Sequence, residues 1–328
     1  MSAGARVLLA RALERRAPLR EDRRTTAFRW LNGEADGVPG LTLDVFGDVG
    51  VLSTYDARAP GPVAAAASDL LPLRAIYWKA RPREAGTLRG EERAARAPAL
   101  PLQGEPVEAV DAREEGLVFR IRPGGGLAVG LYLDMRQARS WVRSHARGVT
   151  LLNCFAYTGA FSIAARAGGA ARAVDVDLSR RSLAWGEENA RLNGQVPPPS
   201  DRLSGDVFDW IRRLGKRGER FEAVVLDPPG FARGKEGSFS ASRDWPELVA
   251  RAAPLVAPRG WLLAACNVAA LPARRFEAAL AEGVRRAGRT AEEVARPDAS
   301  PVDFPVPAGE EPPLKVRVLR LGVVTSRR

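Results

Sequence analysis

The most constraining stretch of the chain is a short apolar run, Val149 to Leu152, that passes through Asn153-Cys-Phe-Ala-Tyr-Thr to Gly159 and straight into the small-residue pattern Ala160-Phe-Ser-Ile-Ala-Ala165. A run this short and apolar suits a strand buried on both faces of a parallel sheet, and the glycine supplies the tight turn into a helix. Apolar strand candidates recur at 172–176, 223–226 and 260–265, with helical patterns around 160–167, 179–193, 241–256 and 272–287 between them. Alternating β and α segments predict an α/β fold whose parallel sheet is covered on both faces. In open sheets of that kind ligands bind outside the carboxyl ends of the strands, so the loops there carry the search for function.

Upstream, residues 4–16 pattern as a basic amphipathic helix, with Ala5, Leu8, Leu9, Ala12 and Leu13 on one stripe and Arg6, Arg11 and Arg15 off it. It reads as a docked surface helix rather than an RNA contact. Strands are expected at 28–31, 41–46, 49–53 and 75–79, with an alanine-rich helix near 62–71. Residues 81–105 lose periodicity and read as a linker or mobile loop. A hairpin is expected at 107–110 and 117–121, a helix at 134–147, and a last strand near the sheet edge at 314–324. The domain reading is therefore a basic helix at 1–26, a smaller N-terminal α/β domain with its linker at 27–104, and a Rossmann-like domain at 105–328.

Composition narrows the chemistry. With a single histidine, His145, and two cysteines, Cys154 and Cys266, neither a metal site nor a disulfide framework is expected. No apolar run approaches the roughly 20 residues of a membrane span, and the amino terminus lacks secretory-signal order, so the expected location is cytoplasmic. The net charge of +11 suits a polyanion such as RNA, although nearly all of it is arginine in a chain rich in Ala, Gly and Pro, a bias that genome composition also produces.

Several constellations sit at expected strand ends. The loop before Gly159 can turn backbone amides toward a nucleoside cofactor, and it is neither a dinucleotide fingerprint nor a phosphate loop with its lysine. Asp177 closes the next strand, at the distance where a carboxylate accepts ribose hydroxyls; Ser179 beside it is equally a helix cap. Asp206 occupies the equivalent place one strand later, where it can accept from an adenine amino group. Asp227-Pro-Pro-Gly-Phe231 is a rigid loop leaving a buried strand, with Pro228 and Pro229 fixing the backbone, a carboxylate to hold a base and an aromatic face to stack it. Cys266 ends another strand; a thiolate there can attack C6 of a pyrimidine, whereas the common role of a free cysteine is packing.

Taken in order, Asn32 to Leu41, Gly130 to Arg136, Asn153 to Phe161, Val176 to Ser179, Asp206 to Phe208, Asp227 to Phe231 and the cysteine strand resemble the class I S-adenosylmethionine-dependent RNA methyltransferases. The specific resemblance is to the ribosomal RNA large-subunit methyltransferase I family, which methylates cytosine C5. It implies a Rossmann-like class I methyltransferase sheet and S-adenosyl-L-methionine as cofactor. It also implies a cofactor site lined by Asp134, Arg136, Asn153, Phe155, Gly159, Asp177 and Asp206, to which Ser179 is added. Asp227 and Cys266 would be catalytic, and Pro228, Pro229, Phe231 and Lys315 would meet the substrate.

The chain departs from that family at named places. The family opens with an RNA-binding PUA domain, which this sequence is expected to lack. Gly230 stands where the family has lysine, Asn267 where it has serine or a similar residue, and Asp298-Ala-Ser-Pro301 where it has Asp-His-Pro. Three alternatives stay open: methylation of an exocyclic base amine, a non-catalytic RNA-binding protein on the same fold, and a small-molecule or protein methyltransferase. A homodimer is also left open.

Overall fold

The computed structural model describes residues 2–55, 59–81, 90–234 and 237–322, which divide into two compact units. The first comprises residues 1–133 and 300–310, the second 134–299 and 311–328. The boundary drawn from sequence at 104/105 thus falls inside the first unit.

In the first unit, α1 (Ser2–Arg15) and α2 (Ala17–Glu21) precede β1 (Ala27–Asn32), β2 (Leu41–Phe46) and β3 (Val49–Thr54). Then come α3 (Gly61–Leu70), β4 (Ala75–Ala80), α4 (Gly90–Arg96) and β5 (Gln103–Gly104), followed by the hairpin β6 (Val110–Glu114) and β7 (Leu117–Ile121). The sheet runs β1-β2-β3-β4-β5, antiparallel except at β3/β4, where α3 makes the crossover. The predicted stripe on α1 is the buried one: Leu9, Ala12 and Leu13 pack against Trp30, Ala64 and Ala67. Arg16 is fully buried, and its guanidinium donates to both Asp36 oxygens at 2.8 and 2.6 Å and to the carbonyls of Ala12, Arg29 and Asp303. A buried charge is tolerated only when its donors are this completely matched.

The expected hairpin strand at 107–110 begins later, at Val110, because left-handed Glu115 and Gly116 form its two-residue turn and fix the register. Of the stretch read as a linker, 82–89 lies outside the described residues, and so do the last residues of the expected strand at 314–324. The rest of that linker holds α4 and β5.

The second unit starts with α5 (Arg136–Ser144), then β8 (Thr150–Cys154), α6 (Ala160–Ala167), β9 (Arg172–Asp177), α7 (Arg180–Leu192) and β10 (Arg202–Ser204). It continues through α8 (Val207–Lys216), β11 (Phe221–Leu226), the hairpin β12 (Phe231–Gly234) and β13 (Gly237–Ser240), α9 (Trp245–Ala252), β14 (Val256–Cys266), α10 (Ala273–Arg286), β15 (Ala291–Ala295) and β16 (Lys315–Leu321). Its main sheet has the order β10-β9-β8-β11-β14-β16-β15. The first five strands are parallel; β16 and then β15 add antiparallel.

Alternate residues of each central strand enter two cores, one per face. Leu152, Val174, Val224 and Leu262 pack with Leu248 and Phe276, while Leu151, Ala173, Val225 and Leu263 pack with Val142 and Phe161. This two-sided burial explains why the strands read as continuous apolar runs.

The last strand sits one place inside the edge, between β14 and β15. The edge strand itself, Ala-Glu-Glu-Val-Ala, gave no apolar signal because three of its five residues face solvent. Charged residues on an edge discourage pairing with another chain. Among the described residues no helix is long and apolar enough to cross a membrane.

Candidate active site

The strand order turns around at β8. The chain moves outward through β9 to β10, then returns to place β11 on the other side of β8, so the crevice at this sheet's switch point opens above Cys154 and Leu226. Cys154 is level with Val176 on one side and with Leu226 on the other, and Leu226 is level with Ala264. The loops after Cys154, Asp177, Leu226 and Cys266 therefore leave the sheet along one edge.

On the β8–β10 side the loop is wound by left-handed residues: Phe155 at φ 61°, Tyr157 at 50° and Gly159 at 72°. For the two residues with side chains this costs on the order of 1–2 kcal/mol each, so surrounding contacts must impose it. Ala156 N–H donates to the Val176 carbonyl at 3.0 Å and Tyr157 N–H to Asp177 Oδ2 at 2.8 Å. A Cβ on Gly159 would stand 3.4 Å from Asp175 Oδ2, and one on Gly186 of α7 would stand 3.1 Å from the Thr158 carbonyl. The absence of both side chains lets helix, loop and strand approach.

Asp177 accepts from two backbone amides, Tyr157 through Oδ2 and Ser179 through Oδ1, both at 2.8 Å. Burial pushes its acid above the ordinary range, and those amides pull it back. Ser179 is the N-cap of α7, accepting from Ser182 N–H at 3.1 Å, and Asp206 is the N-cap of α8, accepting from Phe208 and Asp209. Asn153 is 1% exposed and lies beneath the loop, donating to Asp175 Oδ1 at 2.8 Å. Ser162 donates to the same oxygen at 2.6 Å.

Asp175 was missed in the sequence. Its signal was available: it is an acid two residues before Asp177 inside an otherwise apolar strand, and a buried carboxylate has to be hydrogen-bonded. Burial raises its pKa, opposed by Arg166, Ser162 and Asn153.

On the β11–β14 side the balance differs. Burial first, and then the charge of Asp134, push Asp227 up to about 7, with buried Arg139 opposing. Pro228 is buried and Pro229 exposed, and the Gly230 carbonyl accepts from Ala241 N–H at 3.0 Å to close the β12–β13 hairpin. Phe231, at the head of that hairpin, is 44% exposed. A Cβ on Gly230 would come 3.6 Å from Val268, so this loop lies against the segment that follows Cys266.

Cys266 is 1% exposed and pairs in register with Lys315, whose ammonium donates to the Val268 carbonyl at 2.9 Å. Burial raises the Cys266 thiol; the Val268 amide, the Trp245 indole and Lys315 lower it, and Asp227 raises it. Cys154 is completely buried, and burial alone drives its thiol higher still. The structure thus places Gly159, Asp177, Asp206, Asp227, Phe231 and Cys266 along one sheet edge. Asp134 acts electrostatically on Asp227, Phe155 packs toward Phe239, and Arg136 is buried at the start of α5. Arg139 and Trp245 went unrecognised in the sequence because a buried arginine and an aromatic at helical spacing both read as ordinary packing.

A family model described as S-adenosylmethionine-dependent methyltransferase matches residues 41–309. The chain is 31% identical to ribosomal RNA large subunit methyltransferase I of Alteromonas mediterranea, over 88% of its own length and 72% of that protein. It is 33% identical to the protein of the same name from Aeromonas salmonicida, over 86% and 71%. Among solved structures, SMU.776, a methyltransferase complexed with SAH, superposes with a TM-score of 0.85 at 27% identity, covering 97% of this chain and 81% of that one.

The residues present fit such a cofactor. The side-chain-free approach at Gly159 leaves room for a nucleoside, and the two oxygens of Asp177 keep lone pairs beyond those taken by backbone amides. The chain belongs to the S-adenosylmethionine-dependent methyltransferase family, and S-adenosylmethionine is its cofactor.

Proposed function

We propose that the protein methylates C5 of a cytosine in large-subunit ribosomal RNA through a transient Cys266 adduct, with Asp227 holding the base. The observation that carries this reading is the meeting of a strand-end cysteine and a raised aspartic acid beside the Asp-Pro-Pro-Gly-Phe loop. The names of its relatives and the net charge of +11 support an RNA substrate. Asp134, Arg136, Asn153, Phe155, Gly159, Asp177, Ser179 and Asp206 make up the cofactor side, with Asn153 and Ser179 shaping it from beneath the loop and from the α7 cap. Bound S-adenosylmethionine supplies a methyl group on a positively charged sulfur, an electrophile for carbon or nitrogen.

The target base has to leave its stack, and the exposed ring of Phe231 together with Pro229 offers it a face to rest on. An aspartic acid that carries its proton near neutrality is both donor and acceptor. It can donate to cytosine N3 and accept from the exocyclic amine, a two-point match to that edge. The Cys266 thiolate then forms its bond to C6 as the Asp227 proton moves to N3, and the displaced π electrons make C5 nucleophilic. After C5 gains the methyl group, its proton is lost to solvent, the sulfur–carbon bond breaks to release thiolate, and the N3 proton returns to Asp227, restoring the neutral ring.

Nucleoside mass spectrometry of rRNA treated with the protein and methyl donor is expected to show 5-methylcytidine. RNA bearing 5-fluorocytidine at the target should trap a covalent complex through Cys266, because fluorine cannot leave as a proton. A methyl group on an exocyclic amine with no trapped complex would establish the alternative, in which Asp227 accepts an amine hydrogen and Cys266 is packing.

A further inference from the structure

Trp245 opens α9 and is 1% exposed, its ring edge-on to Phe276 at a centroid distance of 4.9 Å and to Phe239 at 6.4 Å. Its indole N–H is buried, yet among the described residues it has no hydrogen-bond partner. A buried donor left unmatched is unfavourable and calls for an explanation. The acceptor it faces is the Cys266 sulfur. A neutral thiol accepts weakly, whereas a thiolate accepts strongly.

Lys315 approaches the same sulfur from the neighbouring strand. It is 1% exposed and directly opposite Cys266 in the β14–β16 register, and it holds the Val268 carbonyl at 2.9 Å. The Val268 N–H in turn faces the sulfur. One lysine therefore sets a positive charge beside the cysteine and also fixes the peptide segment that presents an amide to it.

We propose that Lys315 and Trp245 are positioning residues that form a seat for the Cys266 thiolate, one supplying charge and loop order and the other a pre-aimed N–H. This rests on Cys266 being the nucleophile of the proposed reaction, and it gives Lys315 a task different from touching RNA. On forming the thiolate the S–H proton passes to solvent, and the sulfur lone pairs are met by donors already in place. Reorganisation is avoided, as in any site whose dipoles are aimed before charge develops. Among the described residues, the sulfur's charged neighbours are Lys315 and Asp227, and Asp227 opposes the thiolate. Burial lowers the Lys315 ammonium and Arg317 opposes it as well, while Cys266, Glu311 and Asp298 favour it.

The chain contains only two cysteines, so Cβ resonances of 13C-labelled cysteine report each thiol separately across a pH titration of the full protein. The Cys154 signal serves as an internal check on folding. In the wild type the Cys266 signal should titrate at lower pH than that of Cys154. Lys315→Met should reduce the Cys266 thiolate population at a given pH about tenfold, Trp245→Phe about threefold, and Lys315→Arg far less than Lys315→Met. Unchanged Cys266 titration in both Lys315→Met and Trp245→Phe, with the Cys154 signal intact, would overturn the proposal. So would a Trp245→Phe effect absent in a folded protein if Lys315→Met does not fold. The readout contains no RNA and no turnover, so it separates from failure of the methylation reading, which is decided by the nucleoside product and the trapped adduct.

Discussion

The two sides of the sheet's carboxyl edge surround their acidic groups with different partners. On the β8–β10 side, Asp177 and Asp206 are bound by backbone amides at loop and helix starts, and Asp175 beneath them is matched by Ser162 and Asn153. On the β11–β14 side, Asp227 faces another carboxylate, Asp134, and Cys266 faces a donor that has no acceptor. Burial raises the acids of Asp175 and Asp177 as it does that of Asp227, but backbone amides hold Asp177 and Ser162 and Asn153 hold Asp175, which suits a site that binds. Asp227, with a second carboxylate beside it, and the raised Cys266 thiol are ready to exchange protons, which suits a site that reacts. On the proposed reading, one Rossmann-like edge is divided at its switch point into a holding half and a reacting half.

The hardest test of that division uses the two cysteines. Cys266→Ala is expected to lower the methylation rate on the order of 10³-fold or more while leaving cofactor affinity within about twofold. Cys154→Ala, at the end of the strand on the holding side, should leave the rate intact and reduce stability by about 1–2 kcal/mol through a small cavity. Single-turnover kinetics with calorimetry of cofactor binding checks both, and equal rate losses would remove the distinction.

Asp227 gives a stability test with a definite sign. Its folded pKa, about 7, lies above the ordinary aspartate value of 3.8. Below the lower value both folded and unfolded chains carry the proton and the group imposes no penalty. As pH rises through the window up to about 7 the unfolded chain ionises first, and stability declines; above it the penalty is complete. The shift corresponds to at most about 4 kcal/mol. Asp227→Asn should therefore raise the melting temperature at pH 8 and change it little at pH 4, while reducing methylation strongly. A variant less stable at pH 8 than the wild type would show that the Asp227 carboxylate is held by its partners and not penalised by burial.

Much of this organisation could be read from residues alone, because buried parallel strands leave continuous apolar runs and the loops between them carry Gly159, Asp177 and the Asp-Pro-Pro-Gly-Phe segment. The elements that escaped have weak local signals. Edge strand β15 is largely solvent-facing, and α8 shows only Val207, Ile211 and Leu214 as its buried stripe. The donor arrangement around Cys266 was hidden for a different reason. Lys315 and Trp245 are 49 and 21 positions away, and only strand register and the packing of α9 bring them to one sulfur. A sequence names candidate groups; the unmatched state of a buried donor exists only in three dimensions.

The holding half can be probed at two depths. Asp177→Ala removes an acceptor from both Tyr157 and Ser179 amides, so the left-handed loop loses a brace and cofactor dissociation constants should rise about 10- to 100-fold by calorimetry. Ser179→Ala tests the smallest effect. Its hydroxyl accepts from Ser182 N–H, and loss of such a cap costs about 1 kcal/mol. If Ser179 serves as helix support, its alanine variant should melt a few degrees lower while cofactor affinity stays within about threefold. A tenfold weaker affinity with unchanged melting would instead assign its hydroxyl to the cofactor itself, and the holding half would then reach further onto α7 than the backbone amides alone.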